Sequence, residues 1–157
     1  MNKRSATMPV HEVMTRAPVT VTAATTTGDL MALFERHDFN AFPVVDAQGV
    51  VRGIVTKLDV LRLFRPDRNL RVPDFPLLSS GRVADIMRRG VVSVEPDDPL
   101  VVAADLMVET RLHSLPVVQR KSGGPVLVGI VAQGDLLRGL RFELAEAQHR
   151  ARAQEVP

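Results

Sequence analysis

The chain has 157 residues, 45% of them hydrophobic, and contains no cysteine, tryptophan or tyrosine. It is one domain's worth of sequence with enough apolar side chains for a core, and it excludes disulfide and thiol chemistry. Twenty Lys and Arg against 18 Asp and Glu leave a formal charge of +2; the isoelectric point near 9.7 reflects a small surplus of base with almost nothing titrating between His and Lys, not a nucleic-acid face.

Residues 1–9, within MNKRSATMPV, read as a loose leader without the apolar segment of a signal peptide. No long apolar run follows, so no membrane span is expected and a reducing cytoplasm is the expected compartment. Val10 to Met14 suits a helical turn, and the β-branched Val19-Thr20-Val21-Thr22 a short strand. Thr25 or Thr26 can cap a helix carrying Leu30, Leu33 and Phe34 at helical spacing and ending near His37-Asp38. Phe42 to Asp46 and Val50 to Val55 read as strands around the turn Ala47-Gln48-Gly49, and Lys57 to Phe64 as a helix.

Residues 65–82 hold Pro66, Pro73, Pro76 and Gly81 and read as a linker with one helical turn, tethered by Phe75, Leu77 and Leu78. The first order then repeats. Val83 to Met87 is a helical turn and Val91 to Val94 a strand. Asp98 with Pro99 starts a helix carrying Leu100, Ala103, Ala104 and Met107. Leu115 to Gln119 and Val126 to Val131 are strands, and a last helix from Gln133 runs past His149. Its Leu137, Leu140, Leu144, Ala147 and Ala151 form an apolar seam that pairs with another element or folds back on the chain's own core.

The repetition is in register. Met14 recurs as Met87 and Pro43 as Pro116, 73 residues on; Gly53 recurs as Gly129 and Asp59 as Asp135, 76 residues on. The three extra residues fall in the turn Gln119 to Pro125, where insertions are tolerated. The expected organisation is a leader at 1–9, a first motif at 10–64, a linker at 65–82, a second motif at 83–140, and a C-terminal helix and tail at 141–157. Neither copy can bury its sheet alone, which is the logic of repeat folds.

Thr56-Lys57-Leu58-Asp59 opens a helix straight after a strand. One reading is a capping box, in which Thr56 accepts from a first-turn N–H and Asp59 favours the positive end of the helix. The other uses the same geometry for a ligand, with N–H groups and the Thr56 hydroxyl facing a phosphate and Asp59 accepting from ribose hydroxyls. Spacing alone favours the cap. The second copy, Ala132-Gln133-Gly134-Asp135, keeps the acid and lacks the hydroxyl.

Two rounds of Met, then Val-Thr-Val or Val-Ser-Val, a helix, Pro-Val-Val and Gly-Ile-Val before an Asp resemble the cystathionine β-synthase (CBS) domain pair, over about residues 10–140. The resemblance implies an α/β (α+β) fold, a tandem motif pair or Bateman module. Its two β-α-β-β-α repeats would be related by a pseudo-two-fold axis, in a stand-alone protein of the bacterial type. It implies a cytoplasmic regulatory module binding AMP, ADP, ATP or another adenosyl ligand in clefts between the motifs, with Mg²⁺ entering only alongside a triphosphate and no cofactor required. By resemblance, Thr56 and Asp59 contact phosphate and ribose, as Asp135 does for ribose. Val19, Thr20, Phe42 and Pro43 line the adenine side. Asn40 and Ala41 align with His113 and Ser114, ahead of Leu115 and Pro116, where the family often places a cation for a phosphate; only His113 supplies one.

The helices Leu30–Phe34 and Leu100–Met107, with Phe64, carry more apolar residues than one sheet face needs; the resemblance implies a homodimer joined through them, and a protein partner that reads the ligand. No enzyme pattern competes. His113 beside Ser114 is not a triad, which is assembled in space and not by adjacency. His11-Glu12 lacks the second His of a zinc helix, and there is no Walker-type loop or metal-ligand spacing. The rival reading is a module without ligand that serves as a dimerisation or docking platform, favoured by the weakened second copy.

Overall fold

A computed structural model describes residues 8–154; most of the leader, residues 1–7, and the last three residues lie outside them. The described chain is a mixed α/β fold. Its elements are β1 (Thr15–Arg16), α1 (Thr27–Arg36), β2 (Ala41–Val45), β3 (Val51–Thr56), α2 (Lys57–Leu63), α3 (Phe75–Ser79), α4 (Leu100–Thr110), β4 (Ser114–Lys121), β5 (Gly124–Ala132) and α5 (Gln133–Gln154). Single 3-10 turns at Val10–Glu12 and Val83–Asp85 occupy matching places in the two copies.

Packing divides the chain into two compact units that do not follow chain order. One comprises Val19–Val91 and Arg120–Leu127; the other comprises, of the described residues, those up to Pro18, Val92–Gln119 and those from Val128 on. They are called here the Asp59 unit and the Asp135 unit. The stretch that precedes each copy's first helix is therefore split. Val10–Arg16 packs with the second copy, and Val83–Arg88 with the first.

In the Asp59 unit, β2 and β3 pair antiparallel, with Ala41 opposite Thr56 and Phe42 opposite Val55. Val21 bridges β2 at Val44 and Arg88 bridges β3 at Ile54. The core is Val21, Leu30, Phe42, Val44, Val55, Val60, Val83 and Met87. Helix α1 forms because Thr26 accepts from the Asp29 N–H at 3.1 Å, a cap whose loss typically costs about 1 kcal/mol, and because Leu30 is fully buried beneath it. Gly49, at φ 78°, takes the left-handed turn position between β2 and β3. Asp46 closes that turn, accepting from the Gln48 and Val50 N–H groups at 2.9 and 3.0 Å.

The Asp135 unit repeats the arrangement. β4 and β5 are neighbours, β1 pairs with β5 through Thr15 and Ile130, and Val94 bridges β4 at Val117. Its core is Val10, Val94, Leu100, Ala103, Met107, Leu115, Val117, Val131 and Leu136. The three inserted residues lengthen the β4–β5 hairpin, and its tip joins the Asp59 unit, where the Leu127 N–H donates to the Gly49 carbonyl at 3.0 Å.

Four expectations are corrected. Val19 to Thr22 and Val91 to Val94 are not strands; each contributes one bridging residue, Val21 or Val94. Asp98 does not cap α4. Pro99, still extended at ψ 147°, is the cap position, so Asp98 stands one residue too early. Its carboxylate accepts from the Glu95 N–H at 2.7 Å instead, while the first free N–H of α4, on Leu100, donates to the Met8 carbonyl at 2.9 Å. Phe75 and Leu77 tether the linker less than expected: they are 54% and 69% exposed, and Phe75 meets the ring of Phe64, itself packed against the core, at 5.5 Å. The α5 seam folds back only in part: Leu140 packs against the core, but Leu137 and Leu144 are 69% and 60% exposed, and the helix buries Leu136 and Gly139 instead.

Candidate functional site

The end of β3 delivers Thr56 to the start of α2, and both halves of a capping box form there. Thr56 Oγ1 accepts from the Asp59 N–H at 3.2 Å. In return, Asp59 Oδ2 accepts from the Thr56 N–H at 2.9 Å and from the Thr56 hydroxyl at 2.8 Å. The other oxygen, Oδ1, accepts from Arg62 Nη1 at 2.5 Å and Arg88 Nε at 3.2 Å. An ionised carboxylate has about four acceptor positions, and four donors fill those of Asp59. That saturation explains how a charge only 4% exposed is held in the unit. The hydroxyl of Thr56 is committed to the same box.

Arg62 and Arg88 stay about half exposed, at 48% and 47%. With Asp59, Leu63 and Ile86 they line a cavity of about 280 Å³ that lies within the Asp59 unit. The expected segment 40–43 adjoins the same helix start. The Asn40 carbonyl accepts from the Lys57 N–H at 3.1 Å, and Ala41 lies opposite Thr56. The Phe42 ring is fully buried against Phe34 at 4.7 Å and Phe39 at 5.8 Å, so it serves the core. Val19 is 36% exposed, ahead of Val21, whose N–H donates to the Pro43 carbonyl at 3.1 Å. Val19, Thr20, residues 40–43, Thr56 and Asp59 therefore belong to one unit.

The corresponding place in the Asp135 unit is thinner. Asp135 Oδ2 accepts from the Ala132 N–H at 2.8 Å, and Oδ1 accepts from Arg138. With no hydroxyl at Ala132 there is no reciprocal cap. The His113 carbonyl accepts from the Gln133 N–H at 3.0 Å, the counterpart of Asn40 and Lys57. His113 is exposed, whereas Ser114, Leu115 and Pro116 are buried. The position matching Arg88 is Thr15, since Arg88 bridges Ile54 and Thr15 pairs with Ile130. The second copy thus has one guanidinium on its aspartate where the first has two.

The order Val21–β2–β3–Arg88, repeated as Val94–β4–β5–β1 with an acid three residues past each long strand, agrees with a family model. The model for the CBS domain matches residues 10–66 and again residues 83–141. The chain belongs to the CBS-domain family. A CBS domain-containing protein of Bacillus subtilis, YhcV, is 34% identical over 128 residues, 81% of either chain. Among solved structures, CBSX2 in complex with AMP superposes with a TM-score of 0.69 at 28% identity, over 86% of this chain and 98% of that one. The CBS domain pair of MJ0100, in complex with 5′-methylthioadenosine and S-adenosyl-L-methionine, shares the fold at a TM-score of 0.70 and 22% identity, over 87% and 98%.

Arg62 and Arg88 were not among the expected site residues. Arg62 was legible, lying three residues beyond Asp59 on a helix, where side chains meet. Arg88 was not, because only the pairing of its backbone with Ile54 brings it to Asp59. Among the described residues, no three His, Cys, Asp or Glu side chains group as a metal site would require, and no helix is long and apolar enough to cross a membrane.

Proposed function

We propose that the protein is a cytoplasmic regulatory module that binds an adenosine-containing ligand, AMP, ADP, ATP or a related adenosyl compound, and passes its occupancy to a protein partner. The observation that carries this reading is the buried Asp59 at the β3–α2 junction, beside a cavity and next to the segment 40–43. The AMP complex of CBSX2 supports the ligand class, as do the adenosyl ligands of MJ0100. In this reading Asp59 accepts from the ribose hydroxyls, with Thr56, Asn40 and Ala41 around the ligand, and Val19, Thr20 and the backbone of Phe42 and Pro43 on the adenine side, the Phe42 ring itself being buried in the core. Asp135 and His113 to Pro116 form the weaker counterpart. The module does no chemistry on its ligand, and Mg²⁺ accompanies a triphosphate only.

The protein is also proposed to act as a homodimer. Of the helices expected to join the copies, Leu30, Leu100 and Met107 are buried in the chain's own cores; the apolar residues left exposed are Met31 on α1 and Leu58 and Leu61 on α2, at 41%, 54% and 62%, and Val108 on α4 and Leu137 on α5, at 77% and 69%. Apolar faces of this kind mark interaction surfaces, and isologous dimers are the commonest oligomers.

One observation favours a second reading, a docking platform without ligand: every acceptor position of Asp59 is already occupied by the chain's own donors. Calorimetric titration with AMP and ATP separates the two. Saturable binding supports the sensor, and no heat with any adenosyl ligand supports the platform.

A further inference from the structure

We infer that the first copy selects an anionic adenosyl ligand over a neutral or cationic one, and that Arg88 is the residue that sets this preference; the inference rests on the proposed adenosyl-binding function. Three charged side chains line the cavity of the Asp59 unit: one carboxylate and two guanidinium groups. The balance is one positive charge in excess. Asp59 is buried and saturated, whereas the two arginines are half exposed on the cavity wall, so the face offered to an incoming ligand is cationic.

The hydrogen bonds add a second argument. A ribose can use Asp59 only if one of the four present donors leaves. The two from Thr56 are part of the helix cap, and Arg62 is the short contact at 2.5 Å. Arg88 Nε, at 3.2 Å, is the longest of the four and the one to be exchanged. A phosphate gives its guanidinium a new charge-assisted partner at the moment it releases Asp59 Oδ1. A neutral thioether ligand leaves Arg88 with no anion to turn to, and a sulfonium is repelled by it. Thr15 in the corresponding place of the Asp135 unit predicts no such selection there.

The test is calorimetry on the full chain with AMP, uncharged 5′-methylthioadenosine and S-adenosylmethionine. The wild type is expected to bind AMP at least about tenfold more tightly than either of the others. Arg88→Gln should weaken AMP by about tenfold without weakening 5′-methylthioadenosine, and Arg88→Lys, which keeps the charge, should retain most of the preference. Thermal melts of both variants check folding; should Arg88→Gln not fold, Arg88→Thr, which gives this place the residue type that the Asp135 unit has at Thr15, carries the test. Equal affinities of the wild type for AMP and 5′-methylthioadenosine, or equal weakening of both ligands by Arg88→Gln, would overturn the selection and leave adenosyl binding standing. Failure of all three ligands to bind would overturn the proposed function and this inference together.

Discussion

Arg88 Nε stands 3.2 Å from Asp59 Oδ1 across 29 residues of sequence. The contact exists because Arg88 and Ile54 exchange backbone hydrogen bonds, both at 2.9 Å, which lays the segment after the second 3-10 turn against β3. The two aspartates that mark the repeat are thereby made unequal. Asp59 is 4% exposed with two arginines and a reciprocal cap; Asp135 is 14% exposed with one arginine and no hydroxyl beside it.

That inequality should appear in stability without any ligand. Asp59→Ala removes a cap and leaves two arginines without their acceptor. Half-exposed arginines recover much of their hydration, so the expected loss is about 2 kcal/mol, chiefly from the cap and the buried hydrogen bonds. Asp135→Ala should cost about half as much. Denaturant melts of both variants measure this, and equal losses would contradict the asymmetry.

The two glycines of the repeat predict an effect shared by both copies. A Cβ on Gly53 would lie 2.8 Å from the Arg88 carbonyl oxygen and 2.9 Å from Met87 Sδ. On Gly129 it would lie 2.7 Å from Met14 Sδ and 2.9 Å from the Thr15 carbonyl oxygen. In each copy the glycine lets the exchanged segment approach its strand. Gly53→Ala and Gly129→Ala should each destabilise by about 1–3 kcal/mol through overpacking, read as a lowered melting temperature. A neutral result at either would mean that segment does not sit against its strand.

Asp46 supplies the pH dependence. Desolvation pushes its pKa up, but hydrogen bonds from the Val50 N–H, the Arg52 side chain and the Gln48 N–H, with the Arg52 charge, outweigh it and hold the pKa below 3.8. A depressed acid contributes stability that is fully present above its unfolded pKa and is lost as pH falls through the folded one. Wild type should therefore be more stable than Asp46→Asn at pH 7, and the gap should narrow below about pH 3.8. Denaturant midpoints at both pH values decide it, and a gap independent of pH would exclude the carboxylate charge as its source.

Much of this was legible in the sequence. The offsets of 73 and 76 located both copies, and a cap at Thr25 or Thr26, the turn at Gly49 and the hairpin strands follow from local chemistry. Local chemistry could not show which copy the segments Val10–Arg16 and Val83–Arg88 join, because both copies offer them the same glycine-containing strand. The capping-box reading of Thr56 and Asp59 was also legible, and the box forms. That the box would be joined by Arg88 required the tertiary fold.

The exposed face of α5 bears on assembly. Leu137 and Leu144 are largely exposed, so Leu137→Ser with Leu144→Ser should change the fold's stability by no more than about 0.5 kcal/mol per site. If the seam joins two copies, the double variant should lower the mass seen by light scattering at tens of micromolar from dimer to monomer. An unchanged dimer would move the interface elsewhere, and a monomeric wild type would remove the homodimer.

Adenosyl binding through Asp59 is tested most directly by titrating AMP into the wild type, Asp59→Ala and Asp135→Ala in one calorimetric series. Loss of a charged acceptor for a hydroxyl pair costs roughly 1.5–3 kcal/mol, about ten- to a hundredfold in affinity. The predicted result is saturable binding by the wild type, weakened to that extent by Asp59→Ala and less by Asp135→Ala. Absence of binding by the wild type, or equal loss in the two variants, would contradict it.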